Sequence, residues 1–138
     1  MNVRKLMSVA VAGLFAYVGA ASAHHSFSAE FDAAKPIKLT GIVTKVEWTN
    51  PHVWFYINVK DEATGEVTNW GAEMGPPHGL QRSGWRRETL KIGESVSVDG
   101  FQARNGEHRM NARTVTLTAT GTRPGQTLDA NSSSSAGN

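Results

Sequence analysis

Between residues 52 and 60, apolar and polar positions alternate without a break. Val53, Phe55, Ile57 and Val59 interleave with His52, Trp54, Tyr56, Asn58 and Lys60. A period of 2 in β-branched and aromatic residues predicts a half-buried strand. Upstream, Leu39, Ile42, Val43, Val46 and Trp48 supply the apolar positions of another strand over about 37–48, with Gly41 as a bend or bulge. Thr49-Asn50-Pro51 is the corner between the two, because Pro51 has no N–H and biases Asn50 away from helix. The loop 61–65, ending in Gly65, predicts a hairpin into a third strand over 66–74. Gly75-Pro76-Pro77 closes that strand and opens a helical turn over 78–82. A second turn is expected over 86–91, ended by Gly93. Strand four is read at 94–103. Asn105-Gly106 then signals a hairpin into strand five at 108–118, where broken alternation predicts a bulge near Thr114.

Three strands, a short helix and two more strands give an all-β fold. The expectation is a small five-stranded OB-like barrel over residues 36–118, with the helix between strands three and four. An immunoglobulin-like sandwich wants about seven strands.

The two ends read differently from this middle. Residues 1–23 carry Arg4 and Lys5, then an apolar run from Met7 to Val18, then Ala21-Ser22-Ala23. That is the pattern of a signal peptide cut after Ala23, and the run is short for a membrane anchor. The expected product is periplasmic or secreted, begins at His24 and has no transmembrane span after cleavage. Residues 24–35 read as an N-terminal arm, in which Phe27 and Phe31 make one helical turn or anchor an extended segment. Residues 119–138 are rich in Gly, Ser and Asn and read as a disordered tail.

Cleavage changes the charge balance. Loss of Arg4 and Lys5 leaves the mature chain with as many basic as acidic residues, 12 of each. A neutral exported chain is a poor partner for nucleic acid, which needs clustered positive charge. Cysteine is absent, so neither a disulfide framework nor a thiolate metal site is available.

Histidines are the remaining ligand set. A mature start at His24 places a free amine beside an imidazole, and the two can chelate one ion. His25 adds an amide and a second imidazole. Pairing Lys60 with Glu66 brings His52 opposite Met74, beside Glu73 and near His78. Imidazole with thioether favours copper, and imidazole with carboxylate also admits zinc. The bland alternative makes Met74 a core residue and gives Glu73 an arginine partner. The metal set is therefore His24, His25, His52, His78, Met74 and Glu73. His108, by the Asn105-Gly106 turn, is expected at the opposite end of the fold.

Trp54 and Tyr56 share the polar face of strand two. With Trp70 of strand three they form a candidate platform for an envelope glycan or peptide. The competing reading has Phe27 or Phe31 cover those rings. Arg82, Arg86 and Arg87 around Trp85 form a local basic patch that reads as a solvated face. No Gly-x-Ser-x-Gly elbow, phosphate loop or His-Glu-x-x-His motif is present, so no catalytic residues are assigned. Two functions stand open. One is copper binding through His24 and His52. The other is a non-catalytic OB-type binding module using Trp54 and Tyr56.

The start His24-His25-Ser26-Phe27, then Phe31-Asp32, Gly41-Ile42-Val43 and Glu47-Trp48-Thr49-Asn50-Pro51-His52, resembles a family of small exported proteobacterial proteins of unknown function. Trp70, Glu73, Leu80, Gly84-Trp85 and Gly93-Glu94-Ser95-Val96 continue the likeness. The resemblance implies an exported OB-like barrel and brings no activity.

Overall fold

The structure is a computed structural model that describes residues 27–131. The expected signal segment and the expected mature start at His24-His25 lie outside these residues. Residues 27–30 are helical, and a second unit begins at Phe31.

That second unit is all-β. Its elements are β1 (Phe31–Glu47), β2 (Trp54–Lys60), β3 (Val67–Glu73), α1 (Pro77–Arg82), β4 (Ser95–Ala103), β5 (Arg109–Leu117) and β6 (Gln126–Asp129). The strand order is β3-β2-β1-β4-β5-β6, and β3 also pairs with β5. Hydrogen bonding therefore runs in a ring through β1, β2, β3, β5 and β4. All pairs are antiparallel except β3–β5, which is parallel.

One long strand serves both halves of this ring. β1 pairs with β4 from Phe31 to Ile42 and with β2 from Ile42 to Glu47. The strand expected over 37–48 thus begins earlier, and residues 31–35, expected in the arm, belong to it. Pro36 sits next to a register shift, where its missing N–H does least harm. At Gly41, where β1 passes between its two partners, a Cβ would lie 2.5 Å from the Asn58 carbonyl oxygen. The bulge itself falls three residues on, between Val43 and Lys45. The bulge expected near Thr114 is present, opposite Asp99 and Gly100.

Alternation decides which side chains go inside. Val53, Phe55 and Ile57, Val96 and Val98, and Met110, Ala112, Val115 and Leu117 are buried together with Trp70 and Ala72 of β3 and Met74 just after it. Each large side chain so buried contributes roughly 1.5–3 kcal/mol. The short helix caps this core with Leu80, and Trp85 follows it inward. No helix forms over 86–91, where residues 87–90 are turn and bend.

Three expectations need correction. The strand count is six rather than five. The added strand, β6, lies in the segment expected to be a disordered tail, where Leu128 and Ala130 are buried. The low apolar content of 119–131 hid it, because two well-placed residues and backbone pairing to β5 suffice. The Ala130 N–H donates to the Arg113 carbonyl at 2.8 Å, and the Gly75 N–H donates to the Ala130 carbonyl at 2.9 Å. The segment after β6 thus bridges β5 to the end of β3. Finally, the β2–β3 register pairs Lys60 with Val67 and Trp54 with Glu73, one residue from the expected pairing. The Asp61 loop is longer by that residue, with the Asp61 carboxylate accepting the Ala63 and Thr64 N–H groups.

Candidate functional site

The inward set Val53, Phe55 and Ile57 obliges Trp54 and Tyr56 to face outward, where both are half-buried. They overlie Gly71 of β3. A Cβ at Gly71 would lie 3.2 Å from Tyr56 Cε1 and 3.6 Å from the Trp54 ring, so the absent side chain lets both rings rest on the sheet. Together with Glu47, Asn69, His108 and Arg109 they line an open cleft of about 340 Å³. Phe31, one of the two covers for these rings in the competing reading, is buried where β1 meets Ala103 of β4.

Each ring of the cleft carries a cation. The Arg109 guanidinium lies 4.8 Å from the centre of the Trp54 ring, and Lys45 Nζ lies 5.3 Å from that of Tyr56. The Tyr56 hydroxyl donates to Glu47 Oε2 at 3.1 Å, and Glu47 also pairs with Lys45. The Lys45 ammonium holds the Glu47 carboxyl below its ordinary range, and the same contact raises Lys45. Partial burial, reinforced by the Glu47 carboxylate, pushes the Tyr56 phenol up. At neutral pH the arrangement is therefore a neutral phenol donor, a carboxylate and an ammonium in sequence. Asn69 is fixed from below by donating its Nδ2 to Asn58 Oδ1 at 2.9 Å and to Thr44 Oγ1 at 3.2 Å.

His108 and Arg109 are the residues that strand patterning missed. Hairpin logic sends the start of β5 to the far end of the fold. The parallel β3–β5 pairing brings it back, with Arg109 opposite Gly71 and the Gly71 N–H donating to the His108 carbonyl at 3.0 Å. No local sequence signal marks a parallel closure between strands far apart in the chain. The third platform residue, Trp70, does not line the cleft. It pairs with Ile57 on the core face, is 9% exposed, and meets the His108 ring at 5.0 Å.

The expected metal set is brought together only in part. His52 Nδ1 hydrogen-bonds the Glu73 carboxylate. Glu73 is buried, whereas the His52 side chain is 40% exposed. An arginine partner for Glu73 is thus replaced by this imidazole. Met74 is a core residue at 2% exposure, because the observed register turns it inward with Trp70 and Ala72. His78 lies exposed on α1. Among the described residues, no group of three or more His, Asp or Glu is placed to hold a metal ion. His24 and His25 are outside those residues.

A second cleft, of about 390 Å³, opens on the β1–β4–β5 side between Ile37, Phe101 and Arg113. Among the described residues, no helix is long and apolar enough to cross a membrane.

No curated protein matches the chain in sequence comparison. A family profile does match, over residues 11–112, and that span takes in the Glu47–His52 corner, the paired rings, Gly71 and Arg109. On that match, which covers most of its length, the chain belongs to DUF6152, a family of unknown function.

Proposed function

We propose that this protein is an exported, non-catalytic binding module of OB type that captures an envelope glycan or peptide on Trp54 and Tyr56. One observation carries the reading. Two outward aromatic rings lie on a glycine floor inside a cleft whose rim supplies a carboxylate, a guanidinium, an amide and an imidazole. Ligand sites combine apolar ring surface with a few polar groups in this way, at volumes of about 300–1,000 Å³. The face of strands two and three is also where OB-folds bind. The ring of five strands closed by β3 and β5 supports that class.

Tryptophan fluorescence of the processed protein, titrated with soluble peptidoglycan fragments, tests the reading. Saturable binding is expected, and the Trp54→Ala/Tyr56→Ala variant should lose at least about tenfold in affinity, since stacking on each ring is worth about 1–3 kcal/mol. Equal affinity in that variant rejects it.

A second reading rests on the His52–Glu73 contact. A carboxylate on Nδ1 fixes the tautomer that leaves Nε2 as a lone-pair donor, the usual support for a histidine that binds metal. On this reading His52 is joined by the mature amine and imidazole of His24 in a copper site, with zinc as a competitor. Equilibrium dialysis of the processed protein against Cu(II) checks it. Tight binding should be lost in His52→Ala and in a chain with one extra residue before His24. Retention in both variants rejects it.

A further inference from the structure

We infer that the two turns after α1 form a docking surface for an anionic lipid membrane, with Ile92 as its apolar tip. This role is independent of what the Trp54–Tyr56 cleft binds.

Two tight turns follow Trp85. In the first, the Thr89 N–H donates to the Arg86 carbonyl at 3.0 Å, which puts Arg87 and Glu88 at the apex. In the second, the Glu94 N–H donates to the Lys91 carbonyl at 3.1 Å, which puts Ile92 and Gly93 at the apex. Gly93 has φ +89°, a left-handed value that such a turn leaves to glycine. Leu90, between the turns, is buried and pins the chain there. Arg123 holds the turns side by side, donating to the Thr89 carbonyl at 3.1 Å and to Glu94 Oε2 at 3.0 Å. Arg86 Nη1 donates to the Gln81 carbonyl at 3.1 Å and draws the first turn against α1. The two apices thus stand on a fixed base.

Ile92 is 72% exposed, the most of any large hydrophobic residue among those described. A lone exposed isoleucine says little by itself. Its neighbours give it meaning. Arg82 at the end of α1, Arg87 and Lys91 are exposed, with no ion-pair partner among the described residues. Arg86 meets the carbonyls of Gln81 and Trp85, neutral acceptors that leave its charge uncancelled. On the acidic side, Glu94 is taken up by Arg123 and Glu88 is exposed. Over residues 82–94, four cations therefore stand against Glu88 alone.

Charge and tip together choose the partner. An anionic bilayer offers phosphates at its surface and hydrocarbon beneath. Basic side chains stay at headgroup level while an aliphatic one passes below them. Free phosphate or a soluble polyanion would engage the cations and leave Ile92 in water. A neutral bilayer would take the isoleucine and leave the cations without counter-charge. So few groups give reversible, salt-sensitive attachment rather than a permanent anchor.

Co-sedimentation of the chain from His24 onward with phosphatidylglycerol-containing vesicles tests this. The apolar run from Met7 to Val18 is left out because such a run partitions into lipid by itself. Saturable binding is expected at low salt, with little to pure phosphatidylcholine vesicles and loss as salt is raised. Arg87→Gln and Lys91→Gln should each lower partitioning about fivefold, and Ile92→Ser about tenfold. All three positions are exposed, so the thermal midpoint should not move. The chain has no cysteine, so Ile92→Cys can carry a single environment-sensitive dye, whose emission should shift to the blue on the anionic vesicles. Equal binding to both kinds of vesicle, no binding to either, or a bound protein whose dye stays in water overturns the inference. Unchanged partitioning of the Lys91→Gln and Ile92→Ser variants overturns it too, as does poly-glutamate bound as tightly as the vesicles.

Discussion

Replacing Trp85 by alanine is expected to cost about 3–5 kcal/mol of folding stability, the range for deleting a fully buried aromatic side chain. Trp85 is 0% exposed and lies just beyond α1. Its position is held on both sides. The backbone N–H donates to the Leu80 carbonyl at 3.0 Å, and the indole Nε1–H donates to the Asp129 carbonyl at 2.7 Å. The helix and the last strand are therefore tied through one residue, by its backbone on one side and its indole on the other. Trp85→Phe keeps one ring of the packing and removes the donor with the rest of the indole, so it should cost less than the alanine variant, about 1–3 kcal/mol. Urea denaturation of the three proteins measures the series. An alanine variant within about 1 kcal/mol of wild type would show that the indole is not part of the core.

Ending the chain at Gly125 should be comparably damaging. It deletes β6 and, with it, buried Leu128 and Ala130. Losing the leucine side chain alone predicts about 2–5 kcal/mol. The cut also leaves the Trp85 indole N–H, the Gly75 N–H and the Arg113 carbonyl without their partners. It bares the edge of β5 from Thr114 to Leu117, a template for pairing with a second chain. The shortened protein should unfold at lower urea and associate with rising concentration in sedimentation velocity. Because Trp85 and Asp129 act as a unit, Trp85→Ala should cost less in the shortened chain than in the full one. Additive costs would argue that the strand and the indole are independent. Unchanged stability after the cut would show that β6 is an ornament on the sheet.

How much of this was legible beforehand depended on range. β2 was plain because Val53, Phe55 and Ile57 alternate with polar neighbours, and all three are buried. The outward placement of Trp54 and Tyr56 followed from that alternation alone. Neighbouring His52 and Glu73 were also foreseeable, since a hairpin brings its two open ends together in either register. Trp70 was misplaced because β3 alternates poorly. Its Gly71 and Glu73 are buried as well, one beneath the rings and one against His52. Met74 went with it, since a one-residue change of register exchanges the faces of a strand. The cleft residues His108 and Arg109 depend on pairing between β3 and β5, strands distant in sequence, and the segment of β6 on contacts of Ala130 with Gly75 and of Asp129 with Trp85. Neither hydrophobic period nor turn chemistry encodes those contacts.

Binding in the cleft formed by Trp54, Tyr56, Gly71 and Arg109 is tested most directly by an amide and indole NMR titration of the chain from His24 onward with soluble peptidoglycan fragments. Saturable shifts centred on the Trp54 indole and on the amides of Tyr56, Gly71 and Arg109 are expected. Saturable shifts centred instead on Ile37, Phe101 and Arg113, with the Trp54 indole unmoved, would contradict it.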